Sequence, residues 1–441
     1  MLDQSPLSWK QQKSPSTGWE WFGKVPQNWI QLPLCAIAKI KSIANQKDED
    51  LLSVYLELGV VKFDDIDEKR TNATSADLSS YQLVDVGDFV LNNQQAWRGS
   101  VGVSKFRGIV SPAYLVFELD KRLDSRFANY LFRDGSMVSQ YLISSKGVGT
   151  IQRNLYWAHL KRAVVYLPPI SEQVAIADFL DGRAMQIDQA IQIKERQIEL
   201  LKERKQILIQ QAVTHGLDPH APMRDSGIEW IGQIPAHWEV VFNRRIFREK
   251  SRPVQGDELP LSLSQVDGVI PSDEMTERSL SPAHRKNFKR CIPGDLVVNR
   301  FKGHLGVFFE SAYDGVVTFH YGVFEPQKGV VTKYFEHLFH TEPYKTIYAG
   351  ASNGMTIGLQ NLSNSNFYAI KSLLPSVDEQ AKICGYIEDH SAPINQVINN
   401  ISSQIERLRE YKATLINSAV TGKIKVPGVV EPTEIEEREF A

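Results

Sequence analysis

Two glycine-rich stretches come nearest to a phosphate cradle: Arg98-Gly99-Ser100-Val101-Gly102 and Lys302-Gly303-His304-Leu305-Gly306. A nucleotide loop needs the G-x-x-x-x-G-K-[ST] spacing, so that successive backbone N–H groups wrap the phosphates while the lysine reaches them. Neither stretch has it. Each leaves one strand pattern and enters another, so they read as turn glycines. Methyl transfer to a base amino group would need an Asn/Asp-Pro-Pro-aromatic loop, and Leu167-Pro168-Pro169-Ile170 lacks both the polar residue and the ring. The histidines, among them His220, His237, His284, His304, His320, His337 and His340, do not cluster with carboxylates at zinc spacing and read as structural or surface groups. Cys35, Cys291 and Cys384 are isolated and are expected to be buried free thiols in a reducing cytoplasm. No catalytic centre emerges.

Charge points elsewhere. The net charge of −2 gives no global case for a polyanionic partner, but the distribution is uneven. Arg278, Arg285, Lys286, Lys289, Arg290, Arg300 and Lys302 stand against the single acid Asp295 between Arg278 and His304. Arg244, Arg245, Arg248, Lys250 and Arg252 form a second basic cluster. Such runs are either solvated faces or phosphate-binding surfaces. At 441 residues the length suggests two to four domains. No run of about 18 apolar residues marks a membrane span, and the polar N-terminus has no secretory apolar core.

The elements that would position these residues occur twice. Leu167-Pro168-Pro169-Ile170-Ser171-Glu172-Gln173 returns as Leu374-Pro375-Ser376-Val377-Asp378-Glu379-Gln380, 207 positions on. At the same offset Val86-Gly87-Asp88-Phe89-Val90-Leu91-Asn92 matches Pro293-Gly294-Asp295-Leu296-Val297-Val298-Asn299, and Tyr114 to Glu118 matches Tyr321 to Glu325. Gly18 to Trp29 returns as Gly227 to Trp238, offset by 209. A period this long means tandem domains. Each globular part alternates short β-branched and aromatic runs with turn residues, predicting α+β units. Strands are expected at Asp88–Leu91, Val101–Val103 and Leu115–Leu119, and at Asp295–Val298, Leu305–Phe309 and Gly322–Glu325. One helical stretch follows in each, near Arg126–Tyr141 and Lys333–Tyr348.

Beyond each Glu-Gln pair lies a heptad pattern: Ile187, Ile191, Lys194, Ile198, Leu201, Lys205, Leu208 and Ala212, repeated by Ile394, Ile398, Ile401, Ile405, Leu408, Lys412, Leu415 and Ala419. Ser171 and Asp378 are expected to cap a first short helix, with Gly182 and Pro393 marking a break before the long one. Ile187 to Thr214 spans 28 residues, about 42 Å of helix. Its apolar stripe needs a cover: the other copy is expected to supply one as an intramolecular coiled coil, the alternative being that each helix packs against its own domain. Lys194, Lys205 and Lys412 on the seam either snorkel or fix the register.

These motifs resemble the DNA-specificity subunits of type I restriction–modification enzymes. The Leu-Pro-Pro-x-x-Glu-Gln segment, the helix ends Ala212 to Pro219 and Ala419 to Ile424, and Asp225 to Trp238 carry the likeness, which covers nearly the whole chain. The resemblance implies an α+β chain with two tandem target recognition domains, separated by two long helices in an antiparallel coiled coil with pseudo-two-fold symmetry. The expected parts are a flexible N-terminus 1–15, recognition domain 16–166, spacer helices 167–217, a second recognition domain with its leading linker 218–373, spacer helices 374–426 and an acidic flexible tail 427–441.

Further implications concern partners. Each domain would read half of an asymmetric bipartite target in double-stranded DNA. The coil would set the spacing and dock two methyltransferase subunits, and a rod of about 40 Å suits half-sites roughly one turn, 34–36 Å, apart. This chain would bind no cofactor. S-adenosylmethionine, ATP and magnesium would belong to the methyltransferase and motor–nuclease partners, in a bacterial or archaeal cytoplasm with no membrane contact.

Within that frame, candidate DNA-binding residues follow from side-chain chemistry. Asn and Gln can pair both major-groove edges of adenine, and Arg those of guanine. In the first domain these are Asn92, Asn93, Gln94, Gln95, Trp97 and Arg98, with Thr150, Gln152 and Arg153 from a glycine-rich loop. In the second they are Asn299, Arg300, Lys302 and His304, with Asn353, Thr356 and Gln360. Tyr156 and Trp157 read as core. Two other readings stay open: a methyltransferase or nuclease fragment with its own active site, and a structural coiled-coil adaptor.

Overall fold

The computed structural model describes residues 9–10, 25–65, 77–148, 152–275, 288–352 and 361–429. By its contacts the chain divides into two units, Met1–Ile193 with Gln404–Ala441, and Lys194–Ser403.

In the first unit the strands are β1 Ile30–Pro33, β2 Ala38–Lys41, β3 Leu52–Tyr55, β4 Gly59–Lys62, β5 Gln82–Val84, β6 Phe89–Asn92, β7 Val101–Val103, β8 Gly108–Val110 and β9 Tyr114–Leu119. Helices α1 Ser125–Arg133 and α2 Gly135–Ile143 follow, then β10 Ser145–Val148, β11 Gln152–Leu155 and β12 Val164–Leu167. Antiparallel β2-β9-β6-β7 form the main sheet. Strand β6 is covered on both faces, which is why it reads as a continuous apolar run. Phe89 packs against Phe132 of α1 at 4.4 Å between ring centroids. Val90 points the other way, into a cluster with Leu52, Val54, Val60, Val84, Val110 and Val116.

The single helical stretch expected here is two helices. Asp134 is extended, with φ −67° and ψ 150°, and its carboxylate accepts the Ser136 N–H, so it starts α2 where α1 would have continued. Asp124 caps α1 in the same way, accepting from the N–H groups of Arg126 and Phe127.

The second unit repeats this architecture. Its strands are β13 Glu239–Phe242, β14 Phe247–Glu249, β15 Leu259–Ser264, β16 Gly268–Pro271, β17 Lys289–Cys291, β18 Leu296–Asn299, β19 Phe308–Glu310, β20 Gly315–Val317 and β21 Tyr321–Pro326. Helices α4 Thr332–Phe339 and α5 Glu342–Ala351 lead on to β22 Lys371–Leu374. The sheet order β14-β21-β18-β19 is that of the first unit. Leu296 and Val298 face the aromatic core of Phe308, Phe324, Phe335, Phe339 and Tyr348, while Val297 joins Leu261, Leu263, Val269, Val317 and Val323. Leu305, expected in a strand, lies in a short 3-10 turn over Arg300–Leu305, and the strand starts at Phe308.

One glycine pair explains a matched close approach. A Cβ on Gly108 would lie 2.4 Å from the Asp50 carbonyl oxygen, and one on Gly315 would lie 2.4 Å from that of Leu259. Both positions therefore require glycine.

Helix α3 runs Ile170–His215 for 46 residues and α6 runs Val377–Val420 for 44, longer than the heptad pattern alone suggests. Neither is interrupted as expected: Gly182 and Pro393 lie inside them on exposed positions. Proline removes one N–H donor, but its ring points to solvent while Ile383, Ile387, Ile401 and Ile405 stay buried on the other face. The caps also differ from expectation. Ser376, not Asp378, caps α6, its hydroxyl accepting the Glu379 N–H at 3.3 Å. In α3 the Pro169 carbonyl takes the N–H groups of Glu172 and Gln173, and Ser171 already lies in the first turn.

Within each unit a stretch of α3 lies antiparallel to a stretch of α6. In the first, Lys412 pairs with Asp188 at 2.7 Å while Ala175 lies near Gly428, past the end of α6. In the second, Lys205 donates to Asn395 Oδ1 at 2.9 Å, and Gly216, past the end of α3, lies by Glu379 near the start of α6. Lys205 and Lys412 on the seam thus hold cross-helix partners.

The Glu-Gln motif is what fastens each helix to its sheet. Gln173 is 1% exposed; its amide N–H groups donate to the carbonyls of Arg122 and Pro168, and its oxygen accepts the Asp124 N–H. Gln380, with no exposure, does the same with Gly329, Pro375 and the Val331 N–H. The neighbouring glutamate holds the domain's first strand region. Glu172 accepts from Asn28 and from Trp29 Nε1, whereas Glu379 pairs with His237.

Replacing Gln380 by Leu leaves a buried N–H and two carbonyls unpaired, at about 1–3 kcal/mol each before relaxation. We expect urea unfolding of the full chain to show the second unit's transition lowered by about 3 kcal/mol, with Gln206→Ala on the exposed face of α3 changing it by less than about 0.5 kcal/mol.

Candidate nucleic-acid interface

The candidates from Asn92 to Arg98 and from Asn299 to His304 leave the sheet at matched strand ends. Asn92, the last residue of β6, opposes Tyr114 of β9; Asn299 of β18 opposes Tyr321 of β21. From each pair two loops diverge, one after the asparagine and one before the tyrosine. Both asparagines turn the chain with their side-chain oxygens. Asn92 Oδ1 accepts the Gln94 N–H at 3.0 Å, and Asn299 Oδ1 accepts from Phe301 and Lys302. Each turn closes on a glycine of positive φ, Gly99 at 102° and Gly306 at 72°.

In the first unit Ala96 is fully buried and anchors the turn, while Gln94, Gln95 and Arg98 are exposed and Asn92, Asn93, Trp97 and Arg153 half-buried. Trp97 Nε1 donates to the Gln94 carbonyl at 2.9 Å, which fixes the indole. Two guanidinium groups flank that ring, Arg98 at 5.2 Å and Arg153 at 5.8 Å from its centroid. The Leu155 N–H donates to the Asn93 carbonyl, tying β11 to the turn, and Asn93 Oδ1 is buried without a partner among the described residues. Lys146 of β10 lies 5.7 Å over the ring of Tyr156. Tyr156 is 46% exposed, so it is not core as expected; Trp157 is half-buried, packing on Phe117 at 4.7 Å between ring centroids. No acid occurs from Phe89 to Phe117 or from Ser145 to Trp157.

The second unit uses the same positions differently. Arg300 turns inward: its Nη2 donates to Glu249 Oε1 at 2.8 Å and to Asn364 Oδ1 at 2.7 Å. Glu249 also holds Lys289 at 3.1 Å. Lys302 and Phe301 are exposed, His304 and Arg300 half-buried, and Asn299 is buried at 8% exposure. His304 Nδ1 is buried without a partner among the described residues. Thr150, Asn353, Thr356 and Gln360 lie outside the described residues, as does the side chain of Gln152.

Internal pairing reduces the basic runs. Arg290 is bidentate to Asp314, Arg252 pairs with Asp295, and Lys250 with Glu325. The Arg290 salt bridge holds Asp314 below the usual carboxylate range, and Lys250 does the same for Glu325. Arg244, Arg245 and Arg248 are exposed, Arg244 over the ring of Phe242 at 4.6 Å. Arg278, Arg285 and Lys286 fall outside the described residues. Burial pushes the Tyr321 phenol up, so the strand-end tyrosine carries no charge. Of the thiols, Cys291 is buried and Cys384 partly so, but Cys35 is exposed, against expectation: it sits in a surface 3-10 turn. Among the described residues, no helix is long and apolar enough to cross a membrane, and no three His, Cys, Asp or Glu side chains converge as a metal site.

A family profile described as the type I restriction modification DNA specificity domain matches residues 59–203. The specificity subunit of the type I restriction enzyme EcoKI from Escherichia coli K12 is 22% identical over 452 aligned positions, covering 91% of this chain and 90% of that one. Among solved structures, a chain from work on complex assembly and conformational transition of the type I R-M system superposes with a TM-score of 0.62 at 12% identity, over 91% of this chain and 100% of that one. The HsdS subunit from Thermoanaerobacter tengcongensis gives 0.47 at 14% identity, over 91% and 98%.

Arg98 and Arg300 thus have different settings. Arg300→Ala removes a clamp from Glu249 and should lower the stability of the second unit by about 1–3 kcal/mol. Arg98→Ala, at an exposed position, should change stability by less than about 0.5 kcal/mol. Equilibrium urea unfolding of both variants checks the difference.

Proposed function

We propose that this chain, which belongs to the type I restriction–modification DNA-specificity subunits, reads double-stranded DNA and leaves the bond-making chemistry to partners. Its first recognition domain, 16–166, reads one half of a bipartite target, and its second, 218–373, reads the other. Helices α3 and α6 set the spacing as a coiled coil and dock two methyltransferase subunits. S-adenosylmethionine acts on those subunits, and ATP and magnesium on a motor–nuclease subunit that completes the complex.

The observation that carries this reading is the matched pair of strand ends. Each unit projects two acid-free loops from an Asn–Tyr pair at identical register, and the side chains on those loops differ. An identical platform with different contents is what two readers of different sequences require. Amides beside guanidinium groups, as at Gln94, Gln95, Arg98 and Arg153, match the donor–acceptor edges of adenine and guanine. Lys302 and His304 suit phosphate as well as bases. The matched heptads support a shared scaffold for two copies of one partner, since a duplicated helix offers the same docking residues twice.

Replacing Arg98 by Ala should relax preference at one base pair by about 1–3 kcal/mol, confined to one half of the target. The measurement is selection of bound duplexes from a randomised pool by the full chain assembled with its methyltransferase. A uniform loss with the salt slope reduced by about one would make Arg98 a phosphate contact. Altered preference in both halves would contradict the division of labour.

A further inference from the structure

The second unit carries an aromatic group that neither the residue-type reading nor the internal repeat anticipates. Phe301 is 41% exposed and Phe319 51% exposed, although each is a large apolar ring in a loop. His320 packs against both: its ring centroid is 3.8 Å from that of Phe319 and 5.2 Å from that of Phe301. Phe301 lies in the loop after Asn299, and Phe319 and His320 in the turn before Tyr321, closed by the Tyr321 N–H to the Thr318 carbonyl at 3.1 Å. The three rings therefore bridge the two loops that diverge from the matched strand ends. At the equivalent positions, 207 residues earlier, the first unit has Gln94, Pro112 and Ala113. There the Asn93 N–H joins the two loops through the Ala113 carbonyl instead.

Exposed rings at this place have a chemical context. Leu296 to Phe309 and Gly315 to Phe324 contain no acid; Lys302 is exposed among them, with His304 and His320 half-buried, while Arg300 is turned inward onto Glu249. A face of rings beside the exposed Lys302, on loops that carry no acid, suits a surface that is apolar locally and anionic around it. In duplex DNA the apolar element a base edge presents is the thymine C5-methyl group, which lies in the major groove.

Resting on the reading of the second unit as a DNA reader, we infer that Phe301 and Phe319, braced by His320, recognise thymine methyl groups in the half-site that this unit reads. The first unit, with Gln94, Pro112 and Ala113 there, reads by amide and guanidinium hydrogen bonds. The two halves of the target therefore differ in the chemistry of recognition as well as in sequence.

The test uses the full chain assembled with its methyltransferase and a synthetic duplex of the preferred sequence, compared with duplexes in which 2′-deoxyuridine replaces thymine in one half-site at a time. Removing a methyl from contact should weaken binding about fourfold, the factor for one buried methyl group. The loss should appear in one half-site only, and Phe319→Ala and Phe301→Ala should each bring the thymine-to-uridine ratio toward one. Because that ratio is taken within each variant, a change in folded fraction cancels. Equal affinity of the unaltered chain for thymine and uridine duplexes overturns the inference while leaving DNA reading intact. So does a uridine penalty that persists in both phenylalanine variants, or a half-site pair without thymine. Failure of the assembled complex to prefer any sequence overturns the DNA-reading role itself, and the inference with it.

Discussion

A glutamine amide with almost no solvent exposure, placed at the start of each long helix, is the constraint on which the rest of the molecule depends. Gln173 and Gln380 each satisfy three backbone groups, two in the turn that leads into the domain's first helix and one in the proline segment that leads into the long helix. A buried amide with both ends bonded fixes position and direction together, because displacing it would strand several polar groups at once. Hydrophobic contact alone would let the helix slide. The glutamate beside it adds a tie to the Trp29 or His237 region, so the first and last strands of each domain meet at the root of the helix.

With the root fixed, the opposite requirement can be met at the strand ends. Asn92 and Asn299 build their turns from their own side chains, and Gly99 and Gly306 close them, so the backbone holds its course whatever the intervening residues are. That freedom is used. The first unit fills the turn with amides and an indole between two guanidinium groups; the second draws its arginine inward onto Glu249 and puts rings and a lysine outside. Because the turn is set by the asparagine and the glycine, most positions between them can change at small cost to folding, Arg300 on Glu249 being the exception.

Much of this was legible in the sequence. The offset of 207 located both sheets, and the heptads located the seam, because local periodicity and repetition are properties of the string itself. The role of Gln173 was not legible, since its partners are backbone groups of Arg122 and Asp124, about fifty residues away and anonymous in composition. Helix continuity through Pro393 was hidden as well, because burial on one face outweighed a local breaker on the other. The basic runs promised more free charge than exists: Arg290, Arg252 and Arg300 are engaged by Asp314, Asp295 and Glu249, all distant in sequence. Tyr156 looked like core by residue type, yet it lies 46% exposed just past the end of β11.

If one chain holds two different readers on one duplicated scaffold, its target has two unlike parts. The most direct test is to map the methylated bases in DNA from cells that express this chain with its methyltransferase. The expected result is a two-part motif, with two short and dissimilar defined sequences separated by a fixed stretch of unspecified bases. A single continuous palindrome, or methylation without sequence preference, would contradict it.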